Sequence, residues 1–246
     1  MYWMLQAPLF RTVKRYPKAR PLFENPADQR FPINCLLISA DTCGTADKLQ
    51  RDFPRMRRTK EECTRIREKL EQARQSLNVG TIKVLSSDEP NEENTPCWDN
   101  VQRLLRAERW HLVHYAGHSY YDEQHKFGCI LLPERLSQTP EPIEASTFAS
   151  AFGETPQFVY LSSCESSADE FVFELASIGI PAVAGFRWGV TEDAAFEYAM
   201  SFYRHLFTER SLEVAFWQAR KETHDTSTLD HNLIWAAAML IIQTDR

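Results

Sequence analysis

Short, apolar, β-prone runs recur along this chain, and the stretches between most of them carry the period of amphipathic helices. The runs are 34–40 (NCLLISA), 81–85 (TIKVL), 110–116 (WHLVHYA), 158–162 (FVYLS), 182–186 (AVAGF) and 233–242 (LIWAAAMLII). A strand that is apolar throughout, rather than at alternate positions, is buried on both faces. Strands that alternate with helices build crossover units, and crossovers build parallel sheets covered by helices. The expected architecture is an α/β fold, a three-layer α/β/α sandwich with a mostly parallel sheet.

The helical stretches support this. Residues 60–77 put Cys63, Ile66, Leu70, Ala73 and Leu77 on one stripe, and Thr59 with Glu62 reads as a capping box. A polar loop at 86–94 leads to Thr95-Pro96, which reads as the N-cap and first turn of a helix ending near 108. Further helices are expected at 145–152, 170–178, 192–208 and 212–224, and a short hairpin at 128–133. Residues 1–30, with Pro8, Pro17, Pro21 and Pro26, read as an extended lead-in holding a hairpin at 2–13. That leaves 31–246 as one domain, which no repeat or Gly/Ser linker divides.

With 246 residues, 43% of them hydrophobic, the chain can bury a large core. The net charge of −6 and the pI of about 5.7 speak against a face that tracks nucleic-acid phosphates. The densest basic segment, 51–60 (RDFPRMRRTK), reads as a solvated loop and helix start. No apolar run approaches the roughly 18 residues that a membrane span needs. The cysteines, at 35, 43, 63, 97, 129 and 164, show no C-x-x-C spacing, and no signal pattern precedes them. A reducing cytoplasm is therefore expected.

Two of the runs end in a reactive side chain. His118 follows the strand at 110–116 by two residues, and Cys164 follows the strand at 158–162 by two. Ligands of open parallel sheets bind beyond the carboxyl ends of the strands, which is where both residues fall. A free thiol titrates near 8.5, so a cysteine nucleophile needs a base such as imidazole beside it. Gly117 permits a sharp turn into His118, and the backbone N–H groups of Ser119 and Cys164 are candidate oxyanion donors. A His that precedes a Cys by roughly 50 residues is the chain order of caspase-type peptidases. Blander readings exist: His118 as a hydrogen-bonded structural histidine, and Cys164 as an inert core thiol. A zinc site of His114, His118 and Cys164 is a further alternative, but it lacks a fourth ligand. Ser162 and Ser163 lack a G-x-S-x-G elbow.

Several blocks in one order extend this pattern: VHYAGHSYYD, FVYLSSCESS, GIPAVAGFRWGVTEDAAFEYAMSFYRHLF, LEVAFWQARKE and NLIWAAAMLII. Together they resemble a CHAT domain, a group of caspase-like peptidases related to separases and often attached to TPR repeats or other sensor modules. The resemblance spans about 30–242 and is strongest from 110 onward. It implies a caspase-like fold with His118 as the catalytic histidine and Cys164 as the nucleophile, flanked by a matching Ser163 and Glu165. The chain departs from the family in having Ser119 after the histidine, where Gly is usual, and Gly189 where Pro is usual after Trp188.

The same resemblance implies that the segment around Arg187, Trp188, Glu192 and Asp193 lines the substrate cleft. Arg187 facing the pocket would favour an acidic residue before the cut, and the two acids a basic one. Because the acids outnumber the arginine, a basic or neutral residue is the expectation. The competing role for both acids is the first turn of a helix capped by Thr191. Trp188 reads as a wall of the pocket.

The implied function is a cysteine endopeptidase acting on a protein substrate, needing no metal or organic cofactor. The implied control is a sensor module or partner protein, in bacterial defence or programmed cell death, away from membranes. The rival is a catalytically inactive CHAT-fold interaction module, motivated by Ser119. A cysteine-based acyl-transfer enzyme is a third reading.

Overall fold

The computed structural model describes residues 11–14, 32–87, 92–122, 127–154, 156–163, 169–226 and 233–244. The first half of the chain runs through β1 (Arg11–Lys14), β2 (Ile33–Ala40), β3 (Gly44–Ala46), β4 (Arg51–Phe53) and α1 (Thr59–Gln72). Next come β5 (Val79–Ser86), α2 (Trp98–Ala107), β6 (Leu112–Gly117), β7 (Ser119–Asp122), β8 (Phe127–Pro133) and β9 (Pro140–Glu144). The rest is α3 (Ala145–Ser150), β10 (Phe158–Ser163), α4 (Asp169–Ser177), β11 (Ala182–Phe186), α5 (Glu192–Glu209), α6 (Leu212–Thr226), α7 (Ile234–Ala237) and β12 (Ala238–Thr244).

The main sheet has the order β1-β12-β11-β10-β6-β2-β5. Every neighbouring pair in it is parallel except β11 and β12. Side-chain alternation splits the core in two. Cys35, Leu37, Leu112, Ala116, Phe158 and Tyr160 face α1, α5 and α6, whereas Leu36, Ile38, Val113, Val159 and Leu161 face α2, α3 and α4. This is the expected three-layer α/β/α sandwich, with a mixed, mostly parallel sheet between two helical layers. No helix among the described residues is long and apolar enough to cross a membrane.

Several local expectations change. The apolar stripe of α1 is buried through Cys63, Ile66 and Leu70, but the regular helix stops at Gln72. Arg74 there bonds the carbonyls of Val79 (3.2 Å) and Gly80 (2.7 Å), and Asn78, at φ 48°, turns the chain into β5. Thr59 and Glu62 form no capping box: Arg58 is the N-cap, and Glu62 is buried. Helix α2 starts at Trp98 rather than at Pro96. The Thr95 hydroxyl instead donates to the Glu92 carbonyl (2.7 Å), closing the turn before the helix.

Residues 128–133 belong to the middle strand of a small antiparallel sheet, β7-β8-β9. The final apolar run divides into the helical turn α7 and the strand β12. In the lead-in, β1 pairs with β12, Arg11 opposite Ile241. The rest of the hairpin expected at 2–13 lies outside the described residues.

Candidate active site

Strand β6 lies between β2 and β10, and Gly117 at its end is the Cα partner of both Ala40 and Ser163. His118 is the next residue along from Gly117. Cys164 is the next residue along from Ser163, but lies outside the described residues. Glycine is required at 117 by space. A Cβ there would stand 2.4 Å from the Tyr115 hydroxyl oxygen and 3.0 Å from the Ala40 carbonyl oxygen.

His118 is 8% exposed, and its surroundings orient it from three sides. Its Nε2 lies 2.7 Å from the Pro54 carbonyl oxygen. A carbonyl only accepts, so Nε2 carries a proton, and in the neutral imidazole Nδ1 holds the lone pair. The Phe53 ring packs against the imidazole at 5.3 Å. The His118 carbonyl accepts from the Tyr115 hydroxyl (2.5 Å) and from the Leu131 N–H (2.9 Å). This last bond makes His118 and Leu131 a hydrogen-bonded pair, so the next pair, Ser119 and Ile130, is the non-bonded kind. Ser119 therefore turns its N–H away from β8. Ser119 also has ordinary strand geometry, because the positive-φ non-glycine residues among those described are Gln50, Asn78 and Arg210. Serine meets no backbone penalty at this position.

The segment 51–60, expected to be only a solvated loop and helix start, supplies one side of this site. Asp41, just past β2, accepts from the Met56 N–H (3.1 Å) and from Arg55 Nε (2.9 Å). That clamp fixes the loop on which Pro54 meets His118. Phe53 and Met56, 5% and 6% exposed, are its anchors. The available sequence signal was an apolar Phe-Pro pair inside a charged run.

Beyond β11, Thr191 caps α5 as expected, its Oγ1 accepting from the Ala194 N–H at 3.3 Å. The two acids that follow are both engaged by Arg58. Asp193 pairs with its guanidinium at 2.7 Å, and the Glu192 carboxylate accepts from the Arg58 backbone N–H. Arg58 also lies over the Phe196 ring, 4.0 Å from its centre. The Arg187 N–H donates to the Ala237 carbonyl (2.8 Å), and its half-buried guanidinium keeps an Nε without a hydrogen-bond partner. Trp188 is 42% exposed and so is no core residue.

His114 belongs to a separate assembly in the interior. Its Nε2 lies 3.0 Å from Glu62 Oε1, and its Nδ1 lies 3.0 Å from the Tyr203 hydroxyl. Its ring stacks on Tyr160 at 5.2 Å. Burial pushes the Tyr160 and Tyr203 phenols well above their usual range. His114 and His118 thus meet different partners among the described residues. Among the described residues no group of three His, Cys, Asp or Glu converges to hold a metal.

The sequence matches the CHAT domain family over residues 2–243. The chain belongs to the CHAT family. Among solved structures, this CHAT domain is similar to the Arg-specific cysteine proteinase gingipain R, with a TM-score of 0.53 and 12% identity. That likeness covers 85% of this chain and 46% of the other, so the chain spans less than half of gingipain R's length. The Saccharomyces cerevisiae separase–securin complex matches at a TM-score of 0.45 and 13% identity, over 96% of this chain and 13% of the other. A secreted C11 cysteine protease of Bacteroides thetaiotaomicron matches at 0.44 and 9%, over 75% and 56%. A search of curated protein sequences returned no match. At 12% identity the property shared with gingipain R is the fold alone.

Proposed function

We propose that this CHAT domain is a cysteine endopeptidase with His118 as acid–base and Cys164 as nucleophile. The observation that carries the reading is the register of Gly117 opposite Ser163 on neighbouring parallel strands. Neighbouring strands lie about 4.8 Å apart, which supports side-chain reach between groups leaving these two strand ends. His118 Nδ1, the nitrogen with the lone pair, takes the thiol proton as sulfur attacks the scissile carbonyl. The N–H groups of Ser119 and Cys164 hold the oxyanion. The imidazolium then returns its proton to the leaving amine, and the acyl group stays on sulfur as a thioester. Water, deprotonated by His118, releases the acid and restores the thiol.

The interaction-module rival drew its support from Ser119, and the ordinary strand geometry at 119 supports the catalytic reading instead. In the proposed cleft, Trp188 is a wall, and Arg187, Glu192 and Asp193, the two acids shared with Arg58, supply the charges that read the residue before the cut. A basic or neutral residue there remains our reading. Control by a sensor module or partner protein in the cytoplasm, in defence or cell-death signalling, completes the proposal on the strength of the family.

The decisive experiment treats the protein with an electrophilic peptide and maps the adduct by mass spectrometry. The expected adduct is on Cys164, absent in Cys164→Ala and strongly reduced in His118→Ala. Cleavage of a protein substrate by either variant at the wild-type rate would overturn the assignment.

A further inference from the structure

The carboxyl ends of β2 and β5 border a second cleft, beside the loop that carries Pro54. It has a volume of about 400 Å³, and Ser39, Asp41, Arg57, Thr59, Lys60 and Ser86 are among the residues that line it. Ser39 and Ser86 are Cα partners across the parallel ladder, so their side chains share one face of the sheet. That face lies under the start of α1, because the Ser39 hydroxyl donates to the Thr59 hydroxyl at 3.2 Å. Leu85, one residue before Ser86, packs in the opposite core, as alternation demands.

Ser86 is the informative residue. It is 3% exposed, and its hydroxyl has no hydrogen-bond partner. A buried hydroxyl without a partner is uncommon and destabilising, and a ligand that bonded it would remove the cost. The charged lining groups are mostly cationic. Arg57 is exposed and has no carboxylate partner among the described residues, and Lys60 adds a second cationic side chain. Thr59 and Lys60 open α1, a helix of 14 residues whose first-turn N–H groups have no acceptor within the helix. Asp41 also lines the cleft, but Arg55 and the Met56 N–H already occupy its carboxylate.

We propose that this cleft binds the phosphate group of a small phosphorylated molecule. Cationic side chains, a buried hydroxyl and a helix start together match the several acceptor oxygens of a phosphate. The volume exceeds that of one phosphate and leaves room for its carrier. Asp41 connects the cleft to catalysis. It holds Met56, two residues beyond the Pro54 carbonyl that orients His118, so occupancy steadies the imidazole. The cleft contains neither member of the proposed catalytic pair, and its binding is measurable whether or not the chain cleaves peptides.

The test is calorimetric titration of the whole chain with inorganic phosphate and pyrophosphate at constant ionic strength. Saturable one-to-one binding is expected, weakened about tenfold or more in Arg57→Ala and in Ser86→Ala. Circular dichroism and melting curves check that the variants stay folded, which an exposed arginine and a small hydroxyl both favour. No saturable binding, or equal binding by wild type and both variants, would overturn the proposal.

Discussion

Gly117 on β6 and Ser163 on β10 are Cα partners at the carboxyl ends of two adjacent parallel strands. Parallel strands run in step, so β6 and β10 end side by side at one edge of the sheet. In the proposed function, the imidazole and the thiol belong to the residues that follow these two strand ends. Gly117 is also a structural hinge of the site, since no side chain fits between Tyr115 and Ala40.

Gly117→Ala is therefore expected to cost about 1–3 kcal/mol through overpacking against backbone and a buried hydroxyl. Because His118 follows directly, the rate of Cys164 modification should fall as well. Thermal melting and labelling kinetics on the same sample check both. A variant of wild-type stability and reactivity would contradict the packing account.

Asp41 is expected to act as a positioning residue. Asp41→Ala leaves the Met56 N–H, on a residue 6% exposed, without its acceptor, at a cost of about 1–3 kcal/mol. Asp41→Asn keeps an acceptor for Met56 and loses only the charge that holds Arg55. Alanine should thus lower the rate of Cys164 alkylation well below the asparagine variant. Equal rates in the two would show that the Met56 bond does not orient the Pro54 loop.

The interior contact of Glu62 with His114 involves side chains 5% and 0% exposed. Removing the carboxylate takes away the buried polar group beside His114 Nε2, so Glu62→Ala should lose about 1–3 kcal/mol. Denaturant unfolding measures it. A loss below about 1 kcal/mol would place the pair in the range of exposed contacts.

Thiol reactivity should be selective. Burial pushes the Cys35 thiol up to about 12 and the Cys63 thiol well above its usual range, so both stay protonated and slow near neutral pH. Brief iodoacetamide treatment near pH 7 should modify Cys164 first, with the half-buried Cys43 as the next most accessible of the others. His118→Ala should slow the Cys164 adduct and leave Cys43 unchanged. Peptide mapping separates the sites, and prior labelling of Cys35 or Cys63 would refute the ordering.

Acid should weaken the α5–α6 contact. Burial opposes ionisation of Glu222, but bonds from Arg204, Ser201 and His205 outweigh it and hold the carboxyl at about 2. A folded-state value below the unfolded one means stability that is present above the ordinary carboxyl range, near 4.5, and lost as pH falls toward 2. Glu222→Gln should flatten the stability profile across that window. An unchanged slope would remove Glu222 from the acid response.

The strand at 182–186 and the helix at 192–208 were legible locally, because their apolar period and the Thr191 cap need only near neighbours. Glu62 was not. A threonine three residues before a glutamate has the pattern of a capping box, but His114 and Tyr203 draw this carboxylate and its imidazole partner inward. The site was legible in one half: a strand ending in His118 and another in Cys164 are visible in sequence. The Pro54 carbonyl was hidden, because a backbone oxygen has no signature and the surrounding arginines read as solvent-facing. Residues 192 and 193 were ambiguous in sequence, and the partner that engages both, Arg58, lies far away in the chain.

Composition, strand–helix alternation and the two reactive strand ends were set by the sequence alone, since each follows from side-chain type and spacing along one segment. The neighbouring of β6 and β10, the Asp41 clamp on the Pro54 loop and the burial of His114 with Glu62 were decided only by the tertiary structure. Each joins residues distant in the chain, and such contacts depend on which strands pair and how helices pack over them.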